Sequence, residues 1–182
     1  TRTRNTARDQ TMNMENSIIY SDNIYFAYGA LKMGWSVFTS YLESIGMTKA
    51  IPFDLPTQKA QIYNVDTEID TGDTSDYFLL ATTGYGQGEL LLTPLQMACY
   101  ISGFINGGTV YSPYIVDSVW QASGNDYEQI SAHEQSVFTT ICTEETASTI
   151  ASYMVGVCRL PENHGGTGKY LGVRSYVCAG KT

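Results

Sequence analysis

The amino-acid sequence predicts a mainly helical fold with a few strands, one of which lies at the end of the chain. Apolar residues recur at the spacing of one helix face in four segments. Capping residue types such as Ser, Thr, Asn or Gly stand at the start or the end of each segment. Alternation between Thr109 and Trp120, and an apolar run between Leu171 and Cys178, indicate the strands.

Two consecutive helices are predicted near the start of the chain, after a loop or extended arm over residues 1–14 and a short mixed run. The first helix begins at residues 21–23, Ser-Asp-Asn, which are all helix-capping types, and it ends at Gly34. The second helix starts at Trp35. We expect Gly46 to cap its C-terminal end.

The middle of the chain is predicted to hold little regular structure. Prolines make residues 51–56 extended, and the polar composition of residues 57–76 predicts a loop. Phe78 to Thr82 is a short apolar run. Three alternating glycines between Gly84 and Gly88 are incompatible with a regular helix or strand, so an irregular loop is expected there.

The clearest helix start lies at Thr93. Thr93 and Gln96 have the spacing of a capping box, and Pro94 fits the first helical position. Residues 106–108, Asn-Gly-Gly, end this helix. A capping box satisfies two backbone N–H groups that the helix itself leaves unpaired, so this boundary is specified locally.

The second half of the chain is predicted to begin with strands and to continue with a helix. Residues 109–120 alternate enough for a β-hairpin or two short strands, and residues 121–135 are expected to form a loop. Thr143 caps the helix that follows. Residues 163–168 form a Gly-rich loop, and residues 171–178 form a strand that leads into Lys181 and Thr182.

Composition excludes several classes of function. The 182 residues suffice for one domain and leave little room for two. A net charge of -8 with no basic stretch argues against nucleic-acid binding. No apolar run approaches membrane-spanning length. His133 and His164 are too isolated to predict a metal site, and the glycines at 165–168 lack the Gly-Lys-Ser/Thr ending of a phosphate loop, so no cofactor is predicted.

The chain carries four cysteines, each within an apolar run: Cys99, Cys142, Cys158 and Cys178. Buried free thiols are the simplest interpretation. An even number also permits disulfides, and the sequence does not choose among the three possible pairings.

Two short polar elements, at residues 21–23 and 181–182, indicate a function only when they are considered together. Alone, Ser-Asp-Asn at 21–23 predicts a helix cap, and Lys181 predicts a solvated surface charge. Serine acyl-transfer enzymes of the penicillin-recognising class combine S-x-x-K, S-x-N and K-T-G elements. The second element is complete at 21–23, and the first two residues of the third are Lys181 and Thr182.

A longer motif carries a family resemblance. Residues 84–98, Gly-Tyr-Gly-Gln-Gly-Glu-Leu-Leu-Leu-Thr-Pro-Leu-Gln-Met-Ala, closely resemble the G-x-G-Q-G-…-T-P-L-Q-M-A signature of penicillin-binding protein transpeptidases. Residues 21–27, Ser-Asp-Asn-Ile-Tyr-Phe-Ala, resemble the S-x-N segment of the class B, monofunctional type. The remaining matches follow in the family's order: Phe-Asp-Leu-Pro at 53–56, Asn-Gly-Gly at 106–108, Gly-Thr at 166–167 and Ala-Gly-Lys-Thr at 179–182.

The resemblance implies an α+β fold, related to the serine β-lactamases, of which this chain covers the helical subdomain and part of the sheet. It implies a peptidoglycan D,D-transpeptidase that cross-links stem peptides ending in D-Ala-D-Ala and is acylated by β-lactams. Ser21 and Lys181 would then be catalytic, as a proton relay and as a positive charge. Asn23 and Thr182 would bind substrate, which adds along the strand edge.

The sequence departs from the family pattern in one respect, because no serine in it is followed by lysine three residues later. We therefore expect residues 1–182 to be a single partial domain, inactive alone, with the nucleophile upstream and the rest of K-T-G downstream. The parent protein would be membrane-anchored and work on the extracytoplasmic face. We also expect exposed apolar surface, which a second copy could cover.

Two alternatives remain open. A β-lactam sensor or resistance protein, or a module that only binds, would have the same fold. An upstream S-x-x-K would separate enzyme from binding-only relative. An unrelated helical binding domain would require three ordered motif matches by chance.

Overall fold

Residues 12–62, 74–159, 166–172 and 175–182 are described by a computed structural model of the chain. The helices in these ranges are α1 (Met14–Ile19), α2 (Asn23–Ser44), α3 (Thr74–Gly84), α4 (Pro94–Ile105), α5 (Glu144–Cys158) and a short 3₁₀ helix (Lys169–Leu171). The strands are β1 (Thr109–Tyr111), β2 (Ser118–Ser123), β3 (Asp126–Ala132) and β4 (Val137–Thr140). Helices supply most of the regular structure, so the predicted α+β class with helices dominant is confirmed.

The two helices predicted near the start of the chain are the two halves of α2. The helix is interrupted at Gly34, whose φ of 76° is not helical, so the boundary between the halves is confirmed. Gly46 follows its C-terminal end with a φ of 81°. The short helix α1 was not predicted. Its six residues are too few to show a helical period, although Asn13 caps it by accepting the Asn16 N–H at 2.8 Å.

Helix α3 is a correction to the sequence prediction. The apolar run 78–82 lies inside it, and the predicted loop 57–76 overlaps its first turn. Residues 63–73 of that predicted loop lie outside the described residues. The irregular Gly-rich loop after α3 is confirmed, with positive φ at Gly86 and Gly88.

The two locally specified helix starts are confirmed. Thr93 accepts the Gln96 N–H at 3.1 Å, and the Gln96 side chain accepts the Thr93 N–H at 3.0 Å, which completes the capping box of α4. Thr143 caps α5 by accepting the Thr146 N–H at 3.3 Å.

The strands form two separate antiparallel pairs, β1 with β4 and β2 with β3. Strands within 109–120 were predicted correctly, but they do not pair with each other. The loop predicted over 121–135 is wrong, because β3 and the end of β2 together occupy most of it. Every residue of β3 is exposed, so no apolar alternation revealed the strand. A two-residue turn with Gly124 at φ 65° joins it to β2.

The strand predicted over 171–178 is also wrong. The 3₁₀ helix includes Leu171, residues 173–174 lie outside the described residues, and residues 175–182 form no strand. A strand exists only through hydrogen bonds to a neighbouring strand. In this segment the Gly180 N–H instead donates to the Met154 carbonyl of α5, at 3.1 Å. Of the predicted Gly-rich loop, residues 166–168 are described and residues 163–165 are not.

Three apolar clusters fix the positions of the helices, and the third joins α2 to α3 through Ala30, Trp35 and Leu80. The first joins the end of α2 to α4 and β1 through Leu42, Ile45, Tyr100 and Val110. The second joins α1 to α5 through Ile18 and three α5 residues: Met154, Val157 and Cys158. Each fully buried aliphatic side chain contributes about 1.5–3 kcal/mol, so these clusters dominate the packing of the described residues.

Large apolar side chains are also exposed, as expected from the sequence. Phe78, Ile105 and Val177 are 71%, 72% and 78% exposed. Association with a second copy stays a prediction. Among the described residues, no helix combines the length and apolar composition that a membrane span requires.

Candidate active site

Ser21 lies in a left-handed turn between α1 and α2. Its N–H donates to the Ile18 carbonyl at 3.3 Å, and the Asp22 N–H donates to the Ser17 carbonyl at 2.9 Å. These two bonds define a Schellman motif, in which the residue at the position of Ser21 has positive φ and is usually glycine. Ser21 has a φ of 54°. A side chain in this conformation costs roughly 1–2 kcal/mol, so the turn holds Ser21 under local strain.

The three residues Ser21, Asp22 and Asn23 have different structural positions. Asp22 is the cap of α2, because its carboxylate accepts the Tyr25 N–H at 2.8 Å, and it is buried. Ser21 precedes the cap, and Asn23 is the first helical residue. The helix-cap interpretation is therefore confirmed for Asp22, while the side chains of Ser21 and Asn23 both line a cavity.

Lys181 and Thr182 lie on the segment 175–182, which packs along the end of α5. The backbone bond from Gly180 to Met154 attaches the segment to the helix. The Thr182 hydroxyl is hydrogen-bonded to the Thr167 hydroxyl, which belongs to the turn before the 3₁₀ helix. This wall of the cavity is thus built from contacts between distant parts of the chain.

Gly166 brings together two walls of the cavity, the turn that holds Ser21 and the segment that holds Lys181 and Thr182. Its N–H donates to the Gly156 carbonyl of α5 at 3.1 Å, and the neighbouring Thr167 N–H donates to the Ile19 carbonyl of α1 at 3.2 Å. A Cβ atom at Gly166 would lie 2.2 Å from that Ile19 oxygen. Only glycine permits so close an approach, so this residue lets the segment that holds Thr182 reach the turn that holds Ser21.

Ser21 and Lys181 make direct contact although 160 residues separate them. The Lys181 Nζ donates to the Ser21 Oγ at 2.8 Å, and the Ser21 hydroxyl donates to the main-chain oxygen of Thr182 at 2.7 Å. The Lys181 Nζ also donates to that oxygen. The hydroxyl therefore has a cationic donor on one side and a main-chain oxygen as acceptor on the other.

Partial burial lowers the pKa of Lys181 below its ordinary value. Desolvation disfavours the charged form of an amine, so the proton is held less firmly than on a solvated lysine. In its protonated form the amine is a charged hydrogen-bond donor to an acceptor in the cavity.

A cavity of about 400 Å³ brings the four predicted site residues together. Its lining consists of Ser21, Asn23, Phe26, Tyr85, Gln87, Lys181 and Thr182. The polar groups in it are hydroxyls, amides and one ammonium, which suit a peptide group and an anionic terminus. The catalytic and substrate-binding roles of the four residues stay predictions.

Sequence analysis did not assign Phe26, Tyr85 or Gln87 to the site. The signal was present, because Tyr85 and Gln87 alternate with glycines in the motif at 84–88. The structure shows how this loop reaches the cavity. The Gly86 and Gln87 N–H groups donate to carbonyls at the end of α3, at 2.9 and 3.0 Å. A Cβ atom at Gly84 would lie 2.5 Å from the Ala30 Cβ, so the start of the loop packs closely against α2.

Solved structures share this fold. The D,D-transpeptidase domain of a peptidoglycan glycosyltransferase from Eggerthella lenta matches with a TM-score of 0.74 at 23% identity, over 93% of this chain and 41% of that one. The crystal structure of PBPA from Mycobacterium tuberculosis matches with a TM-score of 0.69 at 22% identity, over 84% of this chain and 34% of that one. At these identities the likeness concerns the fold.

Sequence comparison finds relatives over nearly the whole chain. Penicillin-binding protein 3 of Bacillus subtilis is 33% identical over 180 residues, which is 99% of this chain and 24% of that protein. The peptidoglycan D,D-transpeptidase PbpA of Mycolicibacterium smegmatis is 25% identical over 155 residues, or 85% of this chain and 29% of that protein. The chain thus spans about a quarter of the length of these relatives.

A family match covers the full sequence. Residues 1–182 match the family described as the penicillin binding protein transpeptidase domain. The match includes every element of the cavity described above. The chain belongs to the penicillin-binding protein transpeptidase domain family.

Proposed function

We propose that the protein is a peptidoglycan D,D-transpeptidase that cross-links stem peptides through a serine acyl-enzyme and is acylated by β-lactams. The observation that carries the proposal is the 2.8 Å contact between Lys181 Nζ and Ser21 Oγ at the edge of a cavity. The names of relatives support it, since one of them is a peptidoglycan D,D-transpeptidase. A structural neighbour is described as an imipenem acyl-enzyme complex.

Ser21 acts as the proton relay. Its hydroxyl both donates and accepts, and the Lys181 ammonium already donates to it. When a leaving amine takes the hydroxyl proton, the neighbouring ammonium can replace it, so no free oxyanion has to form on Ser21.

Lys181 supplies positive charge to the cavity. That charge attracts the terminal carboxylate of a stem peptide, and it favours the neutral form of a second, basic lysine beside the nucleophile. The lowered pKa of Lys181 makes its own proton easier to pass to Ser21.

Asn23 and Thr182 bind the substrate. The Asn23 amide provides both a donor and an acceptor for a peptide group. Thr182 contributes a hydroxyl on the segment along which an extended peptide would lie, and its bond to Thr167 fixes the side chain.

The nucleophile is contributed by a part of the protein outside these residues. No serine in the sequence is followed three residues later by lysine, which is the pairing this chemistry uses. A serine needs an adjacent base to attack an amide, so the 182 residues alone are expected to be inactive. The substrate and the relatives' peptidoglycan activity support a location at the extracytoplasmic face of the cell membrane.

The test is intact mass after incubation with benzylpenicillin. The protein in its natural length is expected to gain the mass of one penicillin, and residues 1–182 alone are expected to gain none. Ser21→Ala and Lys181→Ala in the natural-length protein should slow acylation about 10²-fold or more, because general acid–base contributions have that size. Lys49→Ala, at an exposed lysine away from the cavity, is the matched control and should acylate at the parent rate.

The possible results separate the candidate functions. If the natural-length protein is not acylated by benzylpenicillin and does not cross-link peptides, the protein is a binding-only relative. If residues 1–182 alone are acylated at a serine, the location of the nucleophile is wrong. Equal rates for Lys181→Ala and Lys49→Ala would remove Lys181 from the mechanism.

A further inference from the structure

Two cysteines belong to one apolar cluster, close in sequence to residues of the cavity. Cys158 is the last residue of α5 and is 3% exposed, within the apolar cluster that also contains Ile18 and Met154. Cys178 lies three residues before Lys181, is half-buried, and packs against the same cluster. Both are free thiols in the structure.

Further contacts bring the backbones of the two segments close together. The Gly180 N–H donates to the Met154 carbonyl at 3.1 Å, which attaches the segment of Cys178 to the last turns of α5. A Cβ atom at Gly180 would lie 3.2 Å from the Cys158 Sγ, so that sulfur faces the segment directly. Burial raises the pKa of Cys158, and charge on Cys178 adds to that shift, as expected of thiols close to each other.

We infer that Cys158 and Cys178 form a redox-active disulfide that fastens the Lys181 segment to α5. The inference concerns a modification site and holds whether or not the protein is a transpeptidase. Sequence alone left three pairings open, and the packing of Cys178 on the cluster of Cys158 selects this one. Cys99 and Cys142 pack against a different apolar cluster.

The chemistry requires a disulfide oxidant and proceeds by two exchange steps. The Cys178 thiolate attacks a sulfur of the oxidant, which forms a mixed disulfide and releases one thiol. The Cys158 thiolate then attacks the Cys178 sulfur and releases the second thiol. Overall, both cysteine thiols are oxidised, the oxidant is reduced to two thiols, and the protons of the cysteines pass to them.

Burial sets the order of these steps. Cys178 is half-buried and can meet a small oxidant, whereas Cys158 is buried. Burial and the neighbouring Cys178 raise the pKa of the Cys158 thiol, so a smaller fraction of it is thiolate at neutral pH. The second step therefore accelerates as pH rises.

Oxidation has a direct consequence for the cavity. Lys181 reaches Ser21 from a segment with no regular secondary structure, so its position depends on how firmly that segment is attached. A covalent bond three residues away restricts the range of positions that Lys181 Nζ can adopt. Reduction releases that restriction while leaving the Gly180–Met154 hydrogen bond in place.

The test is disulfide mapping of the natural-length protein after treatment with oxidised glutathione. Remaining thiols are alkylated, the protein is digested, and the peptides are identified by mass spectrometry. The expected product joins the peptides of Cys158 and Cys178, with a loss of about 2 Da for the bond. The double variant Cys99→Ser/Cys142→Ser is the matched control and should give the same linked peptide.

Single variants test the order of the steps. Cys158→Ala should accumulate glutathione on Cys178, because the second thiol is missing, whereas Cys178→Ser should leave Cys158 unmodified. The inference is overturned if the folded wild-type protein yields Cys158 and Cys178 as separate alkylated peptides, or if either one is linked to Cys99 or Cys142. Acylation by benzylpenicillin is measured separately, so failure of this inference and failure of the proposed function are distinguishable.

Discussion

Ser21 and Lys181 meet in the cavity, but the chain holds them in different ways. Ser21 is fixed by a turn of neighbouring residues, because two backbone bonds and the Asp22 cap all form between Ser17 and Tyr25. Lys181 is held in place by the Gly180 bond to α5, by the Thr182 bond to Thr167 and by its own bond to Ser21. Each of these joins residues that are distant in sequence. The conformation of the Ser21 turn is therefore determined by residues close in sequence, whereas the position of the Lys181 segment depends on tertiary packing.

The largest effect is expected at Gly166, where the two walls join. Gly166→Ala would bring a Cβ atom within 2.2 Å of the Ile19 carbonyl oxygen, a backbone atom that no side-chain rotation can move away. Overpacking of this kind costs about 3 kcal/mol. Chemical denaturation of the natural-length protein measures the loss of stability, and slower acylation by benzylpenicillin would report that the walls have separated.

Gly29→Ala is the matched control for Gly166→Ala. Gly29 lies within α2 and a Cβ atom there would meet no other atom within 4 Å. Alanine in a helix is more stable than glycine by about 0.5–1 kcal/mol, so this variant should be slightly more stable than the parent. Equal stability of the two alanine variants would mean that Gly166 is not closely packed against Ile19.

Prediction from sequence followed the same division between local and tertiary structure. The Thr93 capping box, the Thr143 cap and the break at Gly34 were predicted because each depends on residues close in sequence. The strand predicted over 171–178 was wrong, because Leu171 belongs to a 3₁₀ helix and the segment 175–182 is attached to α5 by the Gly180 N–H, a contact that depends on tertiary packing.

The missed elements have physical explanations of their own. Strand β3 is exposed along its whole length, so it lacks the apolar alternation by which strands are recognised. The Gly124-Asn125 turn was the available signal for that hairpin. Motif matching identified four of the seven residues that line the cavity, whereas the position of Tyr85 beside Phe26 depends on the packing of the Gly-rich loop on α2.

Two substitutions of Ser21 test the left-handed turn that holds this residue. Ser21→Gly removes the cost of a left-handed side chain, and Ser21→Ala keeps that cost; both remove the hydroxyl. The glycine variant should therefore be more stable than the alanine variant by about 1 kcal/mol, while both lose rapid acylation. Equal unfolding free energies for the two variants would contradict the left-handed turn.

The smallest effect is expected far from both walls, at Asp54. Its carboxylate accepts the Ile115 and Val116 N–H groups at 2.5 and 2.9 Å, and these bonds lower the pKa of Asp54, with His133 adding to the shift. The folded pKa is lower than the unfolded one, so this contribution to stability is present above about pH 4 and is lost as the pH falls through the folded value.

Asp54→Asn tests whether this region is independent of the cavity. Asparagine accepts the same two N–H groups without a charge, so exchange protection of the Ile115 and Val116 amides should be weaker than in the parent at neutral pH. Protection of the parent should fall toward that of the variant as the pH drops below about 4. Hydrogen exchange measured by NMR follows both amides directly.

The rate of acylation at neutral pH should not change, because the carboxylate holds the segment before β2 and contacts neither wall. A slower rate in this variant would mean that the packing which positions Lys181 extends as far as the β2–β3 hairpin.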